Sequence, residues 1–515
     1  MNRLNTQQRN FVISSGNLIL IAGPGTGKTH TLCCKLEYLV ENSINETNIL
    51  ALTFTNKAAA EMRKRLGLDS KLLITTFHGL AFRDLSDVQK QRLVTDELQR
   101  EVFLKKALQQ TRLKLNIKEA GLLVSLCKIG ETNEKNALSL AKAYNQILKD
   151  KGVIDYDDLL LRFKPKKKYE YVFVDEFQDT NKLQYQITKS LVADNGQVQV
   201  VGDPHQSVYT FRGASSNLFT IFEKEYKAKR LELNQTYRSA RKITTFTNSF
   251  YRDRNLQTQL TEEGEIEFIE TPSRYSEANY IVEKIKRQVG GVDLLNASDV
   301  LKDAQSDFSG IAVIFRSHFL GRVVEQKLKK NNIPIQKAGG NSIWANKAGQ
   351  AFLELARTKN MLEKSPLEIL HELKLPDVQT MELRPYLFRF DNISQFLNEY
   401  EILKQNDFVD PKANLVSLLT MHASKGLEFE TVFVVGLENK NMPMILKYEK
   451  ETKHRLAEEK RLLYVATTRA KQNLILLYKK PKSKFFDTLN LNAVKKVRDE
   501  KAFKKRLRQS QIKLL

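Results

Sequence analysis

Apolar residues along this chain gather into short, nearly unbroken runs set between longer stretches of helical spacing. Leu18–Ile21 (LILI), 49–53 (ILALT), 171–174 (YVFV), 198–201 (VQVV), 311–315 (IAVIF) and 431–435 (TVFVV) are such runs. Each has the length and branched composition of a strand buried on both faces. Their alternation with helix-like segments predicts an α/β fold with parallel sheets and crossover helices. Residues 84–164 differ: rich in Leu, Lys, Gln and Glu with few breakers, they predict a helical insertion. A second helix-like stretch, 345–405, is cut by Pro366, Pro376 and Pro385 and predicts several short helices.

Composition narrows the class. At 515 residues with 41% hydrophobic content, the chain is large enough for several domains. No window approaches the roughly 18 consecutive apolar residues of a membrane span, so no membrane partner is expected. The three cysteines (Cys33, Cys34, Cys127) form no disulfide framework and lack zinc-ligand spacing, which predicts an intracellular, cytoplasmic setting. Eighty-three basic against 60 acidic residues leave a net charge of +23, so a polyanion is the natural partner. The basic stretch 494–513 reads either as a helix on nucleic acid or as a solvated terminus.

The chemistry starts where the first apolar run ends. LILIAGPGTGKT (18–29) is a strand running into a G-x-x-x-x-G-K-T phosphate-binding loop. Gly23, Gly25 and Gly27 let the backbone turn its N–H groups toward phosphate oxygens. Lys28 supplies a point charge for the β/γ-phosphates, Thr29 a hydroxyl for Mg²⁺, and the following helix its positive end. At 171–176 another apolar run ends in Asp175-Glu176. A triphosphatase needs one carboxylate to hold the Mg²⁺ shell and one to activate water, and Asp175 and Glu176 fit these roles in that order.

VDEFQDTN (174–181), together with AGPGTGKT (22–29), resembles the superfamily 1A helicases of the UvrD/Rep/PcrA type. Further similar blocks follow in order: LNTQQ (4–8), LTFTNKAAAEM (52–62), TTFHGLAFR (75–83), VGDPHQSVYTFRGA (201–214), NQTYRS (234–239), TMHASKGLEFETVFVVGLE (420–438) and EEKRLLYVATTRA (458–470). The resemblance implies two RecA-like motor domains, with ATP and Mg²⁺ as cofactors and 3′→5′ movement on single-stranded DNA. Its implied nucleotide contacts are Gln8, Ala22, Gly23, Pro24, Gly25, Thr26, Gly27, Lys28, Thr29, His30, Tyr237 on the adenine face and Glu428 on the ribose. Gln206 would sense the γ-phosphate, while Arg238 and Arg469 would neutralise charge on the transferred phosphoryl group. Phe54, His78, Tyr209, Phe211, Arg212, Arg316 and His422 are the implied DNA contacts. Three positions depart from the common pattern: Phe211 stands for a tryptophan, His318 for an asparagine and His30 for an arginine.

The same resemblance predicts a layout. Residues 1–83 and 165–235 would form the first motor domain with 84–164 inserted. Residues 236–357 and 413–483 would form the second, with a reduced insertion at 358–412 and a basic tail at 484–515. The short stretch after the last motif leaves no room for an appended nuclease. A compact motor that translocates readily but unwinds weakly alone, needing a nuclease or other protein partner, is the expectation. An RNA helicase is the alternative enzyme. A catalytically silent scaffold is disfavoured because Lys28, Asp175, Glu176, Gln206, Arg238 and Arg469 are all present.

Overall fold

The computed structural model describes residues 4–67, 71–85, 93, 97–209, 213, 217–289, 307–337, 347–356, 358, 364–373, 376, 383–384, 387, 392–393, 396–397, 409–410, 413–445 and 452–498. The chain divides into two units, residues 1–233 and 234–515.

Unit 1 runs α1 (Thr6–Ile13), β1 (Leu18–Ala22), α2 (Lys28–Glu41), β2 (Ile49–Thr53), α3 (Asn56–Leu66), β3 (Leu73–Thr76) and α4 (Phe77–Arg83). The helices α5 (Glu97–Thr111), α6 (Ile117–Lys128), α7 (Lys135–Lys151) and α8 (Tyr156–Leu161) follow. It closes with β4 (Tyr169–Val174), α9 (Lys182–Leu191), β5 (Val192–Gly202), α10 (Leu218–Tyr226) and β6 (Lys229–Leu233). The six strands form one parallel sheet in the order β3-β2-β4-β5-β1-β6. In β1 and β2 every residue is buried, as their unbroken apolar runs predict. Alternate residues feed opposite cores: Ile19, Leu50, Val172 and Val200 on one face, Leu18, Ile49, Phe173 and Val201 on the other. The helices α5–α7 bury their own cluster, with Phe103, Val124, Leu140 and Tyr144 at its centre.

Unit 2 begins with β7 (Gln235–Thr236), α11 (Arg241–Asn248), β8 (Gln257–Thr258), β9 (Glu265–Glu270), α12 (Arg274–Gln288), β10 (Ile311–Phe315), α13 (His318–Lys330) and β11 (Ile335–Lys337). It continues through α14 (Lys347–Ala356), α15 (Pro366–Glu372), β12 (Val416–Thr420), β13 (Phe429–Val435), α16 (Lys453–Thr467), β14 (Ala470–Tyr478) and β15 (Lys495–Arg498). Seven strands form a parallel sheet ordered β11-β12-β10-β13-β14-β9-β15, and β7 pairs separately with β8. Phe352, Leu353, Ile369, Leu370 and Phe396 build a small core of their own in the region read as short helices.

The tail is one point of correction. Residues 484–498 are folded into unit 2: Phe485 and Phe486 are buried, and β15 pairs with β9 as the sheet's edge. Its basic residues answer the acidic β9, with Lys495 at 3.7 Å from Glu265 and Arg498 at 3.6 Å from Glu270. Neither basic alternative for this stretch therefore describes Lys495–Arg498; residues 499–513 lie outside the described residues.

Candidate nucleotide and nucleic-acid sites

Unit 1 places its chemistry just past the carboxyl ends of its parallel strands, the usual ligand edge of such sheets. β1 ends at Ala22 and turns through Gly23–Gly27 into α2. Gly25 (φ +73°) and Gly27 (φ +79°) are left-handed. A Cβ at Gly27 would also come within 3.0 Å of Gln8 Nε2, so glycine keeps this cradle open. Gly27 occupies the N-cap of α2 without a side-chain cap. The Thr26 hydroxyl donates to the Gly23 carbonyl (2.9 Å) and braces the loop. Lys28 Nζ lies over the loop, donating to the Ala22 carbonyl at 3.2 Å. Pro24 sits within the turn, while Thr29 and His30 open α2, where the Cys34 thiol is 3.8 Å from the His30 ring.

Gln8 is tied to this loop. Its Oε1 accepts from Asn5 N–H (3.0 Å) in the capping box of α1, and its Nε2 donates to the Thr26 carbonyl (3.1 Å). Lys35, a buried lysine on α2, donates to the carbonyls of Val12 (2.9 Å) and Ser14 (2.6 Å) and so pins the end of α1 to the P-loop helix.

Two strands away, β4 delivers Asp175, buried, whose N–H donates to the Leu52 carbonyl (2.8 Å). Its carboxylate accepts the Glu176 N–H (2.9 Å). Glu176 itself has φ +51°, a strained backbone of the kind that collects at functional sites. Phe177 anchors the turn by packing edge-on against Phe219 (5.0 Å) and Phe222 (5.7 Å). Past β5, Gln206 Nε2 donates to Asp203 Oδ2 (2.8 Å). Gln178 stands between the two groups, donating to the Glu176 carboxylate and accepting the Asp203 N–H (2.9 Å).

The aromatic candidates lie toward the other end of the same edge. Phe54 follows β2 and stacks on Tyr209, with ring centroids 5.2 Å apart and planes 23° from parallel. His78 follows β3, edge-on to Tyr156 at 5.9 Å. Burial pushes its imidazole down to about 4, so it is uncharged at neutral pH. Phe211 and Arg212 lie outside the described residues.

Unit 2 gathers Arg238, Glu428 and Arg469 at the amino ends of β13 and β14. Arg238 Nε donates to Glu428 Oε2 (2.8 Å) and its Nη1 to the Thr468 carbonyl (3.4 Å). Burial works against ionisation of Glu428, yet Arg238 and Lys471 outweigh it and hold the carboxyl below its usual range. Tyr237 beside them is 46% exposed. His422 follows β12, half-buried, with its carbonyl accepting the Lys425 N–H (3.2 Å).

Three of the candidate residues have internal partners that the motifs do not specify. Arg469 is 1% exposed, with its guanidinium donating to the Val465 carbonyl (2.9 Å), the Leu427 carbonyl (3.2 Å) and the Thr468 hydroxyl (3.0 Å). These bonds tie it to the turn before β13. Arg316 is buried in a two-pronged ion pair with Glu459, through Nε (3.0 Å) and Nη2 (2.7 Å). Little of its side chain is exposed. Glu428 is engaged by Arg238 and Lys471, with its side chain still partly exposed.

Residues 4–227 match the family model described as UvrD/REP helicase N-terminal domain, and residues 231–358 and 380–481 match the UvrD-like helicase C-terminal domain. The chain belongs to the UvrD/Rep helicase family. Among its relatives, the ATP-dependent DNA helicase PcrA of Staphylococcus epidermidis is 26% identical, over 92% of this chain and 83% of that protein. A probable DNA helicase II homolog of Mycoplasma capricolum is 28% identical, over 93% and 84%. PcrA of Staphylococcus aureus is 25% identical, over 93% and 83%.

Family motifs pick out residue types but not every supporting side chain. Gln178, Asp203 and Lys471 escaped the sequence reading, although the first two lie inside DEFQD and VGDPHQ. Lys35 has no sequence signal, because one lysine in an amphipathic helix looks solvated.

Proposed function

We propose that this chain is an ATP-hydrolysing DNA motor that moves 3′→5′ on single-stranded DNA and opens single-strand/duplex junctions, in DNA repair, recombination, replication or defence. One observation carries the reading: a single sheet edge holds a phosphate cradle at β1 and a stacked aromatic pair near β2. A hydrogen-bonded network at β4 and β5 lies between them. Direction of movement rests on the family resemblance, as does DNA over RNA. The names of the relatives support DNA.

The residues fit a Mg²⁺–triphosphate. Asp175 is a buried carboxylate and Thr29 offers a hydroxyl, two hard oxygen donors that leave the other ligand positions to phosphates and water. The bound ion would neutralise charge on the phosphate oxygens. Lys28, now resting on loop carbonyls, exchanges them for the β/γ-phosphate. Glu176 takes the proton from the attacking water, and Gln206 orients that water or the γ-phosphate. The family resemblance assigns Arg238 and Arg469 to the charge on the transferred phosphoryl group; Arg238 is held by Glu428 and Arg469 by three internal hydrogen bonds. Tyr237 is available to stack on adenine. Phe54, Tyr209, His78 and His422, with Phe211 and Arg212, are assigned to bases and backbone of the strand.

Residues 84–164 and 358–412 are assigned as insertions in the two motor domains, the second reduced. That economy supports a motor needing a protein partner for processive unwinding. Strand displacement on 3′-tailed, 5′-tailed and blunt DNA with ATP and Mg²⁺ tests the reading. Opening of the 3′-tailed substrate is expected; opening of only the 5′-tailed one would overturn the polarity, and matched opening of RNA duplexes the substrate.

A further inference from the structure

We propose that Gln178 is a positioning residue that locks the general base Glu176 to the Asp203–Gln206 pair. Through them it links hydrolysis to the aromatic strand site. The inference rests on the function proposed above and names a residue that reading does not use. In the sheet order β3-β2-β4-β5-β1, the phosphate cradle and the end of β3 are four strand spacings apart, roughly 19 Å at about 4.8 Å per spacing. The ends of β4 and β5, where Gln178 lies, stand between them along this edge.

Every polar group of Gln178 that the network uses is accounted for. Its Nε2 donates to Glu176 Oε2. Its Oε1 accepts the Asp203 N–H at 2.9 Å. Its backbone carbonyl accepts the Ser207 hydroxyl at 3.0 Å. Asp203 in turn accepts Gln206 Nε2 at 2.8 Å and the His205 N–H at 3.1 Å. The side chain is fully buried, so no water can replace a lost partner cheaply. Gly202, the last residue of β5, makes the approach possible: a Cβ there would collide with Gln178 Oε1 and sit 3.1 Å from the Phe177 N. Two residues beyond Ser207, Tyr209 stacks on Phe54. A shift of that aromatic pair is thus two residues from a hydroxyl bonded to Gln178, whose amide holds the base.

An amide is the group this position needs, since it presents a donor to a carboxylate and an acceptor to a backbone N–H from one rigid plane. Gln178→Glu keeps the acceptor for Asp203 but sets an oxygen against Glu176. Gln178→Met keeps the volume and removes both bonds. The test uses the full-length protein and measures ATP binding with a fluorescent ATP analogue. It also measures steady-state hydrolysis with and without saturating oligo(dT), and thermal unfolding.

For both variants ATP affinity is expected to stay within about 3-fold, while DNA-stimulated kcat falls roughly 30-fold or more, within the range of a misplaced general base. The unstimulated rate falls less, so the ratio of stimulated to unstimulated turnover collapses. Combining Gln178→Glu with Gln206→Ala should add little to the single Gln206→Ala loss, because both act through one network. A purely structural role would lower Tm and the amount of active protein but leave kcat per active site and the stimulation ratio intact. That result in either variant, or fully additive losses in the double variant, overturns the proposal. If Gln178→Met does not fold, Gln178→Glu decides. Wild-type protein whose hydrolysis ignores oligo(dT) would instead refute the motor reading itself.

Discussion

The two units arm their nucleotide-assigned residues in opposite ways. In unit 1 they stand past the carboxyl ends of strands, and Lys28, Thr29 and Glu176 project from a backbone already shaped for a ligand, with Gly27 at φ +79° and Glu176 at φ +51°. In unit 2, Glu428 and Arg469 directly precede β13 and β14 at their amino ends. There the cations have partners: Arg238 pairs with Glu428, and Arg469 is bonded to three oxygens. Unit 1 holds a preorganised cradle in which Lys28 rests on loop carbonyls, whereas in unit 2 an arginine is matched by a carboxylate. The difference suits a motor in which binding alone should not complete the catalytic set.

The largest predicted effect probes the prepared side. Glu176→Gln should lower hydrolysis by roughly 10²–10⁴-fold while retaining ATP, so the expected outcome is slow phosphate release with tight nucleotide retention. On the other side, Arg316→Ala should behave as a core lesion. It leaves the fully buried Glu459 without its main partner, at a cost of about 3–5 kcal/mol. A large fall in Tm is expected; weaker DNA binding at unchanged Tm would return Arg316 to the strand-contact set. Phe54→Ala removes half of a stacked pair and should weaken single-stranded DNA binding by about 1–3 kcal/mol with Tm nearly unchanged, read by fluorescence anisotropy.

The smallest effects are opposite in sign between units. His78 titrates at about 4 folded against 6.5 free, so the folded state binds fewer protons and stability is lost as pH falls from about 6.5 toward 4. His78→Gln should flatten that loss. Glu277, buried beside Glu438, is pushed up to about 8 from 4.5. It contributes fully below 4.5 and loses its contribution as pH rises through 8. Glu277→Gln should raise Tm more at pH 9 than at pH 5, and an equal change at both would contradict a protonated Glu277.

Legibility followed burial. β1, β2 and β10 could be read directly because strands covered on both faces must be apolar throughout. Edge strands could not: β6 (KRLEL) and β15 (KKVR) expose most of their residues, and their charges look like helix surface or tail. β9 hides its signal differently, interleaving Glu265, Glu267 and Glu270 with apolar residues and matching Glu265 with Lys495, Glu267 with Lys284, and Glu270 with Lys480 and Arg498. At the site, motif spacing located Lys28, Asp175 and Glu176, since glycine conformation and strand ends dictate where they sit. It did not reveal the internal partners of Arg316 and Arg469, because a motif specifies an arginine without saying which carboxylate or carbonyl holds it. Gln178 stayed hidden for the converse reason: its role depends on Gly202 and Asp203, on a strand far away in sequence.

In the proposed motor the β1 cradle hydrolyses ATP under control of a single strand bound on the same unit. Steady-state hydrolysis of wild-type and Lys28→Ala protein, each with no nucleic acid, oligo(dT) or oligo(U), tests it most directly. Strong stimulation of the wild type by oligo(dT), weaker by oligo(U), and a loss of roughly 10²–10³-fold in Lys28→Ala are the predicted results. Turnover that ignores the strand, or that survives Lys28→Ala, would exclude a strand-controlled ATPase at this loop.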